Sequence, residues 1–322
     1  MRVSRLGGLA AVLVGVLALT LGATVGSASG SAFHHEVKVY SGISGPEEIV
    51  AGPDGALWFT SGGDSIGRIT TRGVVTYYTG PGMSSPFGIV AGPDGALWFA
   101  NSGGNSISRI TTAGKVTNYT GPGISNPESI AAGPDGALWF TNGGNSSIGR
   151  ITTTGKVTNY TGSGISAPQG IAAGPDGAMW FTGGDEFSGL IGRITIAGKV
   201  TSYRTDSGIS LTDGIAAGPD GAMWFTGSLD DAIGRITMKG GLTYYSGPAI
   251  GPIPADIAAG PDGALWFTNI GRTTIGRITT GGTVTNIRIT MHSFGVTVGP
   301  DRAMWFTGGD VIGRITTTAT TG

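Results

Sequence analysis

The chain has 322 residues, a formal net charge of −1, 12% charged residues, 62 glycines and no cysteine. Without cysteine there is neither a disulfide framework nor a cysteine-linked lipid anchor. The balanced charge, with no basic tract or basic–aromatic stripe, gives no nucleic-acid footprint.

At the N-terminus, Arg2 and Arg5 precede an apolar run from Leu6 to about Leu21, and small residues follow over 22–32. This is the layout of a secretory signal peptide, with cleavage expected after Ala28 or Ala32. The run is short for a membrane span and no second one follows it. Residues 1–32 are therefore expected to be a signal peptide and short linker. Residues 33–322 are expected to form one exported, soluble domain. Its first segment, His35-Glu-Val-Lys-Val-Tyr-Ser-Gly42, has the alternation of a single strand.

From residue 51 the chain repeats itself. AGPDGALWFT at 51–60 returns with little change, its GPDG recurring at 92–95, 133–136, 174–177, 218–221 and 260–263, with GPDR at 299–302. One repeat, taken over 86–122, holds four short runs: PFGIVAG, ALWFA, SISRITT and VTNYTGP. Each is rich in Ile, Val, Thr and aromatic residues and is bounded by Gly, Pro, Asn or Asp, which is the pattern of strands and tight turns. Four short antiparallel strands per repeat of about 40 residues describe a propeller blade. The tryptophans Trp58, Trp98, Trp139, Trp180, Trp224, Trp266 and Trp305 fall one to a repeat, so seven blades are predicted. The seventh repeat stops after its third strand, VIGRITT (311–317). The segment 35–42 resembles the missing fourth strand, KVTNYTG (115–121), and is expected to complete that blade and close the ring.

The fold class is thus all-β, a seven-bladed propeller of four-stranded antiparallel blades. GPDG reads as the turn joining strands one and two, since Pro presets φ and Gly tolerates positive φ. The Arg of the recurring Ile-Gly-Arg-Ile is expected to reach a carboxylate or carbonyl near that turn. A residue present in every blade cannot mark one site on a ring, so both motifs are read as structural.

The run P-x-G-I-x-x-GPDGALWFT, followed by IGRITT, x-G-x-V-T and Tyr, resembles the streptogramin B lyase (virginiamycin B lyase) family across the whole mature chain. The resemblance implies a seven-bladed propeller that linearises cyclic depsipeptide antibiotics, opening the lactone by magnesium-assisted elimination without water. It also implies catalytic His just after the Pro of the sixth and seventh P-x-G-I segments. Here those segments read Ile253-Pro-Ala-Asp-Ile257 and His292-Ser-Phe-Gly-Val296. The matching positions are Ala255 and Phe294, and neither side chain can transfer a proton. The family's two acidic positions fall at His292 and near Gly309. Its W-F-T-E also departs, because the Thr is followed here by Ser61, Asn142, Gly183, Gly227, Asn269 or Gly308.

Function is expected where the blades differ, on the face that carries the start of each first strand and the loops between strands two and three. The variable first-strand positions are Glu47, Phe87, Glu128, Gln169, Asp213, Ala255 and Phe294. The loops add Asp64, Asn105, Asn145, Asp185, Glu186, Asp230, Asp231, Arg272 and Asp310. With Glu48 and Asp256, this face gathers eleven carboxylates against one Arg. The opposite face carries Arg72, Lys115, Lys156, Lys199 and Lys239. An acidic rim can bind a cation, attract a cationic ligand or simply stay solvated.

Glu128, Asp213 and Asp256 are the candidates for a divalent ion, Mg2+ only if the implied lyase reaction is retained. Phe87 and Phe294 suit stacking on a sugar or peptide ring, and equally suit packing between blades. His292 is the one imidazole beyond the N-terminal segment and so the candidate base, with a plain surface role as the alternative. Two readings stay open. One is an exported monomer that binds a small molecule, cyclic peptide or glycan without catalysis. The other is a lyase or hydrolase with a rearranged site built on His292, Glu128, Asp213 or Asp256 and a divalent ion.

Overall fold

Runs of β-branched and aromatic residues between Gly-rich turns become strands because such side chains fit a pleated, packed surface. A computed structural model describes residues 12–14, 18–23, 33–185, 188–205, 209–210 and 212–319. These residues form seven antiparallel sheets. The first blade consists of Pro46–Ala51, Leu57–Ser61, Ser65–Ile69 and Val75–Tyr78, in chain order from the axis outward, and five more blades repeat the plan. The last blade takes Val296–Val298, Met304–Gly308 and Val311–Ala319 from the C-terminal end of the chain. Its fourth strand is Phe33–Ser41, paired from Phe33 opposite Ala319 to Ser41 opposite Val311. The expected closure is therefore present, and the innermost strands touch their neighbours around a complete circle.

Of the N-terminal segment, Val12–Val14 and Ala18–Ala23 add an outer fifth strand to the first and seventh sheets. The expected cleavage positions at Ala28 and Ala32 lie outside the described residues. Among the described residues no helix is long and apolar enough to cross a membrane.

The core lies between blades. Leu57, Trp58 and Phe59 of the second strand are fully buried, and so are their counterparts around the ring. Phe59 lies over Gly67, where an added Cβ would sit 2.0 Å from the ring, so the Gly of Ile-Gly-Arg-Ile makes room for the Phe. At the turn, Gly55 adopts φ +72°, which an L side chain resists.

The turn Asp joins three strands. In every blade one of its oxygens accepts the Trp indole N–H at 3.0–3.1 Å. The other accepts Arg Nε–H at 2.5–2.6 Å. Partial burial alone would raise these carboxyls, but the bonds from Trp58 and Arg68 outweigh it and hold Asp54 below its ordinary value. In most blades a fourth-strand Tyr stacks on the same Trp, as Tyr78 does on Trp58 at 5.3 Å. The GPDG aspartates are thus consumed by the frame, with the expected Arg as partner.

Replacing Asp176 by Ala should orphan the buried indole N–H of Trp180 and leave Arg193 without its carboxylate. The expected loss is about 2–4 kcal/mol of unfolding free energy in urea titration. Asp176→Asn, which keeps the oxygen facing the indole, should cost less. Equal losses for the two variants would contradict the double bond as the source.

Candidate functional site

The site begins with a register error in the innermost strand. Between Pro46 and Ile49 the first strand advances three residues while its partner advances two, from Ser61 to Phe59. The same bulge recurs at Pro86–Ile89, Pro127–Ile130, Thr212–Ile215 and Pro254–Ile257. A bulge leaves one residue outside the ladder and re-aims side chains. Here it turns two consecutive residues toward the axis, where regular strand geometry would expose only one.

The Thr of Trp-Phe-Thr holds this arrangement. Its hydroxyl oxygen accepts the N–H of the second bulge residue, as in Glu48 to Thr60 at 3.1 Å and Asp256 to Thr268 at 2.9 Å. The same hydroxyl donates to the carbonyl at the variable position of the next blade. Thr141 reaches Gln169 at 2.8 Å, Thr226 reaches Ala255 at 2.6 Å and Thr268 reaches Phe294 at 2.8 Å. Thr182 and Thr307 bind the carbonyls of Asp213 and Glu47 in the same way. Ala100 occupies this place in the second blade and supplies no such bond.

All seven variable positions meet at one cavity of about 900 Å³ at the channel mouth. Glu47, Phe87, Glu128, Gln169, Asp213, Ala255 and Phe294 line it together with Glu48 and Asp256. Phe87 is 44% exposed and Phe294 38%, so both rings present faces to the cavity and are not packed between blades. No Lys, Arg or His is among its lining residues.

The second bulge residue is Gly in four blades, because the neighbouring backbone is too close for a side chain. A Cβ on Gly88 would lie 2.5 Å from the Glu128 carbonyl oxygen. Ser129 and Asp256 use the place to bind the next blade, accepting Ile171 N–H at 3.3 Å and Val296 N–H at 2.7 Å. Asp256 also accepts the Ile257 N–H at 2.8 Å. Glu48 makes no such bond: among the described residues no donor reaches its carboxylate.

Five carboxylates therefore share one cavity without a counter-charge. Burial, then the charges of Asp256, Glu47 and Asp213, push Glu48 well above its ordinary value. Burial raises Asp256 to about 6, against the opposing N–H bonds from Val296 and Ile257. Burial also raises Asp213, opposed by the Ser228 hydroxyl. Glu128 is raised by burial and then by the charge of Asp213, and Glu47 by burial. Although Glu128, Asp213 and Asp256 all line the cavity, no three His, Asp or Glu side chains among the described residues converge to hold a metal ion.

The outer rim has a different use. Asp64 accepts the Ser85 N–H at 2.7 Å, Asn105 that of Asn126 at 2.6 Å, and Asp231 that of Ile253 at 3.0 Å. Asp310 reaches Gly45 N–H at 3.4 Å across the ring closure. These side chains latch one blade to the next, so rim and cavity carboxylates are separate sets. Glu186 lies outside the described residues.

His292 stands at the seam between blades six and seven, where this latch runs in reverse. Its ring is exposed, its Nδ1–H donates to the Ile270 carbonyl, and it does not line the cavity. Gly309 lines the cavity but brings no functional group. His35 is buried edge-on against Trp266, with ring centroids 5.7 Å apart.

Because folding raises Glu48 and Asp256, the folded chain keeps protons that the unfolded chain releases. Their contribution to stability is present at low pH and is lost as pH rises from about 4 through 6. The turn aspartates act in the opposite direction: their contribution is present above the ordinary carboxylate value and is lost as pH falls through their lowered values. Calorimetry should therefore find maximal stability in mildly acidic buffer. Glu48→Gln should raise the melting temperature at pH 7.5 more than at pH 5, and an equal effect at both would contradict the repulsion.

The chain matches the model of the virginiamycin B lyase family over residues 17–204 and 124–321. Among curated proteins no match is found. A solved streptogramin B lyase is 31% identical, with a TM-score of 0.82, covering 88% of this chain and 98% of its own. The virginiamycin B lyase from Staphylococcus aureus is 33% identical, with a TM-score of 0.81, covering 88% of this chain and 99% of its own. A catalytically inactive His-to-Ala variant of that enzyme, solved with quinupristin, matches equally well. With the family model spanning nearly the whole propeller and the blade text behind it, this chain belongs to the virginiamycin B lyase family.

Proposed function

We propose that the chain is an exported binding protein that holds a compact peptide-like or glycan ligand at the channel mouth without opening it. The observation that carries this reading is the cavity of about 900 Å³, lined by two open phenyl rings and by no imidazole. That volume suits a small cyclic peptide or a short glycan. The N-terminal pattern of Arg2, Arg5 and the apolar run supports export.

Loss of turnover follows from Ala255 and Phe294. Elimination needs a base to remove a proton and an acid to assist the leaving oxygen, and neither residue can serve. In the Staphylococcus aureus relative, a His-to-Ala change is described as catalytically inactive, and that variant was still obtained with quinupristin. Binding and turnover are thus separable in this family. The residues here do not fit the magnesium that the resemblance implies, since no three potential ligands converge among the described residues.

One observation favours the alternative, a lyase with a rearranged site. Asp256 stands beside Ala255, lines the cavity and is raised to about 6, a suitable value for a base near neutral pH. The two readings separate in one assay. A streptogramin B depsipeptide incubated with the purified protein and magnesium should raise the melting temperature and be recovered with its lactone intact, as read by chromatographic retention and the fragmentation pattern in mass spectrometry, since elimination leaves the mass unchanged. Phe87→Ala and Phe294→Ala should each weaken binding about tenfold, an effect of about 1.4 kcal/mol. A ring-opened isomer carrying a new C=C bond and a free carboxylate, whose formation disappears in Asp256→Asn, would replace the binding reading with the lyase.

A further inference from the structure

We propose that the ligand of this cavity is an organic cation carrying two or more separated ammonium groups on a compact, partly apolar body. This rests on the binding reading above and names the ligand's chemistry.

Charge is gathered in one cavity, most of it beyond what the frame needs. Glu47 and Glu48 from the first blade, Glu128 from the third, Asp213 from the fifth and Asp256 from the sixth all face one cavity. The rim carboxylates Asp64, Asp231 and Asp310 accept backbone N–H groups that tie blade to blade. Glu48 has none, and it occupies a place where four blades carry Gly and the other two side chains, Ser129 and Asp256, serve the frame. A structural role therefore does not account for the carboxylate of Glu48. Its energetic effect on the empty cavity is unfavourable, because like charges with poor access to water repel.

The spacing selects the kind of cation. A divalent metal needs several oxygens within a few ångströms of one point. The carboxylates come instead from blades spread around the ring, and no three converge on a single ion among the described residues. Charges distributed over a larger ligand match charges distributed over a wall. The remaining lining agrees: the open faces of Phe87 and Phe294 take an apolar body and can also attract an ammonium through the ring quadrupole. On the far face the exposed Arg72, Lys115, Lys156, Lys199 and Lys239 are not paired with acids among the described residues. The molecule therefore carries a field directed toward the acidic mouth, which would steer a cation there.

The test is titration calorimetry with spermidine as a triamine probe, against butylamine, magnesium chloride alone and a neutral cyclic depsipeptide. Spermidine should bind at least about tenfold more tightly than butylamine and weaken about tenfold from low to high salt. Its affinity should also fall as the buffer is taken from pH 7.5 to pH 5. The double variant Glu48→Gln/Asp213→Asn should lose about tenfold or more in spermidine affinity. Its melting temperature without ligand should stay at or above that of the parent, which shows that it folds. Spermidine binding no better than butylamine, binding insensitive to the double variant, or magnesium binding as tightly as the triamine would each overturn the proposal. Binding of the neutral depsipeptide without spermidine binding would overturn this inference and leave the binding reading standing. Failure of every probe would overturn both.

Discussion

Each blade turns on one carboxylate that accepts two different cross-strand donors. The Asp of GPDG sits at the turn into the second strand, binds the indole of that strand and the guanidinium of the third, and so fixes three strands at one point. The indole must be buried for the blades to pack, and a buried N–H without a partner is costly. Trp therefore requires Asp, and the charge of Asp, partly removed from water, is stabilised by Arg. Because the unit closes within a blade, it can be copied seven times without any blade depending on the chemistry of another. The seven turn aspartates and their arginines are thereby taken up in pairs.

Blade-to-blade joining uses other groups at the opposite end, and this is what leaves room for a site. The Trp-Phe-Thr hydroxyl accepts from its own blade's bulge and donates to the next blade's carbonyl, so the backbone is held while the side chains at those positions are free to vary. The variable residues sit on a ring of carbonyls, and in five blades a bulge displaces them toward the axis. Five of the seven positions are fixed in this way, and they carry Gln169, Asp213, Ala255, Phe294 and Glu47 with little cost to the frame. In the second blade Ala100 removes one hydroxyl clip, and the adjacent Asn101 is buried in hydrogen bonds to Ser106 and Ser108.

Much of this was legible in the residues. One Trp per repeat counted the blades, and the truncated seventh repeat with its match at 35–42 located the closure. The face that carries the variable positions followed from where GPDG must turn. What lay beyond the text was the bulge, because a pattern such as P-E-E-I reads as simple alternation, and only the register shows that both Glu residues face the axis. The acidic rim also looked like a single set of eleven carboxylates. Its division depends on which carboxylates line the cavity and which lie in the loops outside it, a three-dimensional fact with no signature at one position. His292 is the same kind of case. An isolated imidazole near Ala255 and Phe294 reads as a candidate base, and only the structure shows its ring bridging a seam to the Ile270 carbonyl outside the cavity lining. The recurrence of Thr after Trp-Phe, with Ala100 as its one exception, was the visible trace of the clip.

Ala255 and Phe294, at the positions where the resemblance implies catalytic His, have an electrostatic consequence for the cavity. An imidazole at either place could take up a proton and offset part of the carboxylate charge around it. With neither present, the negative potential of Glu47, Glu48, Glu128, Asp213 and Asp256 is relieved only by protonation, by salt or by a ligand. The raised values of Glu48 and Asp256 express this, since these groups hold protons more firmly than water-exposed carboxyls would. The cavity's lining carries acids and no Lys, Arg or His. It is well arranged to discriminate by charge, because a ligand that supplies the missing positive groups gains both the attraction and the relief of the repulsion.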